Sequence, residues 1–477
     1  MAPSLNQYNM DGTPPTPVVI DSYTEKRILR KLDLTLIPML WLLMIVSFAD
    51  RSAIGNAKIQ GMDIDLHLTG NKYNMAVMVF TIAYMVFGIP ANIVFRLLGP
   101  KSLAGMMVLW GLCAGAQGLI KNYAGLVAFR FLMGVFEAGF VPGCAYLIGS
   151  YYKKDEFLKR YAFFFSGAII AGAFNGLFSF ALAKADGAGG LAGWRWIFIV
   201  EGIITVAMAL LAYILLPTFP KSTTLFNDHD KAILLERLRL DGNHTTDDDL
   251  RTNVLAALLD WKIWLATLVY MSAQENVSSI AAFLPSILKG LGYTSVSAQI
   301  HSIPVYCVAF AMTLICAYIS ERLRQRYFFA LFGAVLNLTG LALQLAYPHS
   351  VNVRYMGTFF MTAGCYIVMP IMVVWNAINI GKGYKRVVAF AMTTAVGNCG
   401  ALISSNVYIT EEAPGYRTGF AVGIGMSCLA IVAMTGLYVG LRVGNSRRER
   451  KVLEGSEVSG SGEEVVREDG VGMKYQL

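Results

Sequence analysis

Six ionisable side chains stand inside stretches that are otherwise strongly apolar: Asp50, Arg51, Arg130, Glu137, Glu201 and Glu275. A charge at the centre of a membrane-spanning helix costs about 2.5–3.5 kcal/mol on insertion scales, so each of these groups needs a partner or a task. Arg130 and Glu137 are seven residues apart, two helical turns, which places them on one helix face. Arg130 offers a planar, permanently charged fork suited to a carboxylate, and Glu137 is a protonatable site or, equally, a lock between two helices. Asp50 and Arg51 lie about 24 Å along their helix and Arg130 about 20 Å above the same boundary, at 1.5 Å per residue. Asp50 and Arg130 are therefore predicted to be near neighbours, contacting a ligand or neutralising each other. Glu275 and Asn276 fall at the depth of Asp50, the first as a proton-coupling candidate and the second as a substrate contact. Trp375 and Asn376 could stack on or hydrogen-bond a planar ligand, or simply pack helices together. Glu201, just past Trp194 and Trp196, reads as structural.

The elements that must position these groups follow from the composition. Of 477 residues 56% are hydrophobic and 15% charged, with mean hydropathy +0.53, against roughly 25% charged in an average soluble protein. The excess is gathered into apolar runs at about 34–54, 73–95, 103–120, 123–149, 161–183, 194–216, 262–284, 301–320, 327–347, 355–380, 387–409 and 418–441, each long enough to cross a bilayer as a helix. Continuous apolar runs exclude a membrane β-barrel, whose strands alternate. The expected class is an all-α membrane protein of twelve spans: a cytosolic tail 1–33, a six-helix half 34–216, a cytosolic loop 217–261, a second half 262–441 and a disordered tail 442–477.

The net charge of +8 comes from short basic clusters between the runs, not from one basic face, so no nucleic-acid partner is expected. With the N-terminus in the cytosol, 29 Lys and Arg fall on the inner side and 8 on the outer, which sets both termini inside. The seven cysteines lie in or at the ends of spans without a CxxC pair, and neither a disulfide nor a metal site is expected. The sequon at Asn243 falls in the cytosolic loop and is expected to stay unmodified, and the polar N-terminus is no signal peptide. There is no GxxxxGK[ST], HExxH or GxSxG motif, so an enzyme, catalytic residues and a cofactor are not expected, and work must come from a gradient.

The halves also repeat. An offset of 226 residues carries Arg96 onto Arg322, Lys159-Arg160 onto Lys385-Arg386 and Asp50 onto Asn276. Two six-helix halves related by an axis along the membrane normal, with a mid-depth site between them, form a secondary-transporter architecture.

The motifs FADRSAIGNAK (Phe48 to Lys58), YMVFGIPANIVFRLLGPK (Tyr84 to Lys101), RFLMGVFEAGFVPGCAYLIGSYYKKDEFLKR (Arg130 to Arg160), GWRWIFIVEGI, FLPSILKGLGYTS and EEAPGYRTG resemble the major facilitator superfamily. More closely they are similar to its anion:cation symporter family, in the fungal allantoate and nicotinate permease-like branch. The resemblance covers roughly residues 28–441. It implies a cytoplasmic gating motif on Arg96, Gly99 and Lys101 with Glu321 and Arg322. Gly88 and the pair Tyr151-Tyr152 depart from the family pattern. It also implies a monomer in the lipid bilayer, at the plasma membrane, that binds a small-molecule organic anion and protons. The alternative is an exporter of a fungal secondary metabolite with the same fold.

Overall fold

The computed structural model describes residues 21–70, 72–240, 255, 257–346, 350–380, 384–408, 412 and 415–458. The N-terminal residues 1–20, Asn243, most of the loop around it and the tail from 459 lie outside the described residues, as do the side chains of Lys385 and Arg386.

The chain is helical with no strand among the described residues. Among the described residues, ten helices are long and apolar enough to cross a membrane. The six of the first half are built on Ser22–Ala57, Lys72–Leu98, Lys101–Leu119, Tyr123–Tyr151, Glu156–Ala183 and Gly193–Leu215. Spans 7 to 10 are Trp261–Gly290, Ser295–Leu323, Tyr327–Ala346 and Val351–Asn379. Span 11 is broken into Tyr384–Gly397 and Cys399–Val407, and span 12 is Arg417–Val458. The arrangement is the twelve-helix, two-half fold that the repeat implies.

Helix 1 starts three turns ahead of residue 34 because Asp21 caps it, its carboxylate accepting from the Thr24 N–H at 3.2 Å. That extension is amphipathic: Ile28 and Leu32 are buried while Glu25, Arg27, Lys31 and Asp33 carry charge. Span 12 likewise runs on to Val458, so both helices overrun the boundaries read from hydropathy. Span 4 is interrupted between Glu137 and Phe140, and span 1 ends in a π-helical turn, Lys58–Met62, where Gly61 adopts φ +99°.

Within the first half, spans 1 and 5, 2 and 4, and 3 and 6 pack pairwise. Glycines permit the approach: a Cβ on Gly134 of span 4 would meet the Phe80 carbonyl oxygen of span 2 at 2.4 Å. The halves meet where span 5 packs on span 8 and span 2 on span 11. At the near face, where span 1 begins and span 12 leaves, the helix Asp228–Leu240 buries Ile233, Leu234 and Leu238. Arg237, only 1% exposed, donates from Nε to Glu25 at 2.6 Å and also pairs with Glu156, which ties this helix to spans 1 and 5.

Candidate functional site

Consecutive helical residues point about 100° apart, and Asp50 and Arg51 show the consequence. Arg51 turns toward spans 2 and 4. Its Nε lies 2.6 Å from Glu137 Oε1, and Ser47 Oγ donates to the same oxygen at 2.6 Å. The Arg51 guanidinium sits over the rings of Tyr84 at 4.7 Å, Phe48 at 5.1 Å and Phe80 at 5.5 Å, a cation–π enclosure. Its side chain stays 19% exposed while Glu137 is fully buried, and Arg51 Nη2 has no hydrogen-bond partner. Glu137 thus finds its counter-ion on span 1 and not in Arg130, although it shares a face with Arg130. Span 1, which carries Arg51, also packs on span 7 of the second half.

Asp50 turns the other way. Its Oδ2 accepts from Trp110 Nε1 at 3.0 Å and from Thr205 Oγ1 at 2.8 Å, on spans 3 and 6, while Oδ1 has no partner. Arg130 and Asp50 act on each other electrostatically but form no ion pair. The expected closeness therefore takes the form of a field and not a contact: Trp110 and Thr205 hold Asp50 within its own packing layer. Arg130 is 2% exposed, lies over the Phe198 ring at 6.0 Å, and leaves Nε and Nη2 without a hydrogen-bond partner. Glu201 and Tyr73 also feel its charge.

In the second half, Ser279 Oγ lies 3.0 Å from Glu275 Oε1 and 2.9 Å from Ser404 Oγ of span 11, and Glu275 Oε2 is buried without a partner. Asn276 donates to the Ser272 carbonyl at 3.0 Å, and its other side faces Gly423 of span 12. Trp375 is fully buried, 6.3 Å from the Tyr327 ring, and Asn376 Nδ2 donates to Thr393 Oγ1 at 2.8 Å. Both residues pack helices against one another in this conformation: Trp375 lies against the start of span 9 and Asn376 against span 11. The structure therefore joins Arg51 to Glu137, leaves Asp50 and Arg130 without a bond to each other, and sets Glu275, Asn276, Trp375 and Asn376 on spans 7 and 10 of the other half.

At the near face, Gly99 takes φ +81° in the turn between spans 2 and 3, which only glycine adopts freely. Lys101 lies over the Tyr213 ring at 5.1 Å, Arg322 is exposed, and Arg96 is half-buried. Glu321 crosses between halves to Lys159, with Nζ 3.2 Å from Oε1. Among the described residues no group of three or more His, Cys, Asp or Glu could hold a metal ion.

The sequence profile of the Major Facilitator Superfamily matches residues 40–437. The chain belongs to the major facilitator superfamily. This facilitator is 30% identical over 437 residues to an uncharacterized transporter of Schizosaccharomyces pombe, covering 90% of this chain and 86% of the relative. It is 32% identical to the MFS-type transporter cnsO of Penicillium expansum, over 90% and 86% of the two chains. To the high-affinity nicotinic acid transporter of Saccharomyces cerevisiae it is 29% identical, over 90% and 80%. Among solved structures it matches the proton:xylose symporter XylE bound to 6-bromo-6-deoxy-D-glucose, with TM-score 0.69 at 14% identity over 87% of this chain and 96% of that one.

The facilitator's site contains residues that the charge pattern alone did not select. Trp110 and Thr205 hold Asp50, Tyr84 and Phe80 enclose Arg51, and Lys159 meets Glu321. Trp110 lies in an apolar run with no polar neighbour to flag it. Thr205 stands one turn beyond Glu201, a spacing that does place two polar groups on one face.

Proposed function

We propose that this facilitator moves a small organic anion of the nicotinate or ureide class across a membrane by alternating access, coupled to protons. The observation that carries the reading is Arg130, a buried guanidinium whose Nε and Nη2 donors meet no acceptor in the protein. Buried donors without acceptors are costly, and a ligand carboxylate supplies the acceptors that Nε and Nη2 lack. Arg51, paired with Glu137 and partly exposed, is the second arginine of the reading. The likeness to the nicotinic acid transporter of yeast supports a pyridine carboxylate, as does the similarity of the motifs to those of the allantoate and nicotinate permease-like branch. Asp50 acts behind the arginines. Asn276, Trp375 and Asn376 are substrate contacts that need a different packing of the second half to reach the ligand. Glu137 and Glu275 are proton-coupling groups, and Glu321 closes the near face together with Arg96, Gly99, Lys101 and Arg322. The near face, rich in Lys and Arg, is the cytosolic one, and the protein works as a monomer in the plasma membrane.

The test is uptake of radiolabelled nicotinate and allantoate, with and without a protonophore, in cells carrying wild type or Arg130→Ala at equal surface expression. Protonophore-sensitive uptake by wild type that falls by about a hundredfold in the variant, the loss of a charge-assisted bidentate contact, is the expected result. No uptake by well-expressed wild type overturns the substrate class. Efflux from preloaded cells then identifies the exporter reading.

A further inference from the structure

A string of aromatic rings leads from Arg51 into the second half. The guanidinium lies 5.1 Å from the centroid of the Phe48 ring, and Phe48 meets Phe165 of span 5 edge-on at 6.3 Å. Phe165 stacks on Tyr161 at 6.4 Å and reaches across to Tyr366 of span 10, also at 6.4 Å. Tyr366 in turn meets Tyr306 of span 8 at 6.3 Å. Tyr306 leads back to the first half, because Gly172 of span 5 leaves room for its ring: a Cβ there would meet Tyr306 Cζ at 2.7 Å. At this level the halves are joined by rings from spans 1, 5, 8 and 10.

Two properties separate this string from ordinary helix packing. Tyr161, Tyr306 and Tyr366 are each 2% exposed or less, yet their hydroxyls have no hydrogen-bond partner among the described residues. A buried tyrosine usually finds one, and elsewhere in this protein Tyr151, Tyr152 and Tyr355 do. For packing alone phenylalanine would serve as well, without the cost of burying an unmatched hydroxyl. The string also ends on a charge, Arg51, whose Nη2 has no partner. A cation at one end, flat apolar faces along the length and unmatched hydroxyls at the other end fit a planar ring that carries a carboxylate and a heteroatom. They do not fit an open-chain ureide, whose N–H and C=O groups would lie unbonded against apolar rings.

Resting on the reading of the ligand as a small organic anion, we infer that Phe48, Phe165, Tyr306 and Tyr366 form the surface that takes the ligand's own ring, so that this facilitator selects aromatic carboxylates over ureides. The string already uses edge-on and offset ring pairs, and a ligand ring extends it in the same geometry. The carboxylate stays with the arginines, and the tyrosine hydroxyls serve the heteroatom. Because the rings come from both halves, an aromatic ligand touches both.

Purified full-length protein in detergent is titrated with four probes, and the rise in unfolding temperature gives each affinity. Benzoate and cyclohexanecarboxylate are both ionised at neutral pH and differ in the ring; benzamide and cyclohexanecarboxamide repeat the comparison without the charge. Benzoate is expected to bind about tenfold more tightly than cyclohexanecarboxylate. Phe165→Leu and Tyr366→Leu keep apolar volume and should reduce that ratio to about two or less, whereas Tyr366→Phe should keep it. Equal affinity of the wild type for the two acids overturns the inference, and that comparison needs no variant. So does an unchanged ratio in both leucine variants, which would leave the rings as packing alone, and so does allantoate binding more tightly than benzoate. A ring preference among the amides with no gain from the charge refutes the anion reading and leaves the ring surface standing. Binding of none of the four overturns both.

Discussion

Lys159 and Glu321 join the two halves at the near face, with Nζ 3.2 Å from Oε1 and the Lys159 backbone N–H donating to Oε2 at 2.8 Å. The 226-residue offset that relates the halves maps Glu321 onto Phe95, which packs edge-on against Tyr146 and Phe219 within its own half. A charged latch of this kind therefore holds one side of the pseudo-axis, and an apolar residue occupies the matching place. Breaking the latch should bias the carrier toward opening at this face. Because the lysine is 44% exposed, solvent screens the pair and its contribution is about 1 kcal/mol. Glu321→Ala is expected to raise thiol labelling of a cysteine introduced at the near-face end of span 8 by about fivefold, with recovery in the Lys159→Glu, Glu321→Lys exchange.

The Arg51–Glu137 pair is buried at its acidic end and shared with Ser47. Removing one partner strands the other. Arg51→Leu and Glu137→Leu are each expected to destabilise the detergent-solubilised protein by about 3–5 kcal/mol, and the double replacement by much less than the sum. Thermal unfolding of the three variants measures it; additive losses would show that the pair is not coupled.

Gly134 touches the backbone of span 2, where any side chain collides with the Phe80 carbonyl. Gly134→Ala should cost about 1–3 kcal/mol through overpacking. Gly105→Ala, on a helix position with open space around it, should leave stability unchanged or raise it by up to about 1 kcal/mol. The shift in unfolding temperature of each variant is the check.

Arg237 anchors the helix Asp228–Leu240 through Glu25 and Glu156. Its loss leaves Glu25 to Lys153 and strips Glu156 of its guanidinium, so Arg237→Ala is expected to free the helix by about 3 kcal/mol, read as roughly hundredfold faster amide exchange over its residues. Unchanged exchange would mean that the apolar contacts of Ile233, Leu234 and Leu238 suffice.

The sequence alone determined the class, the twelve-span count and the two-half repeat, because a bilayer demands about twenty apolar residues per crossing and that demand is local. It also singled out Asp50, Arg51, Arg130 and Glu137, since a charge in an apolar run is conspicuous without any tertiary knowledge. The start of helix 1 at Ser22 was missed, because hydropathy reports membrane crossing and not helix length, and the Asp21 cap lies well ahead of the apolar run. Pairing was not legible. Asp50 and Arg51 are adjacent in sequence yet belong to different packing layers, because one residue of helical rotation sends them to opposite neighbours. That Glu137 meets Arg51 and not Arg130, that Glu321 reaches Lys159, and that Asp50 lies against Trp110 all depend on which helices lie side by side. Residues 60 to 162 positions apart become neighbours only once the helices have packed.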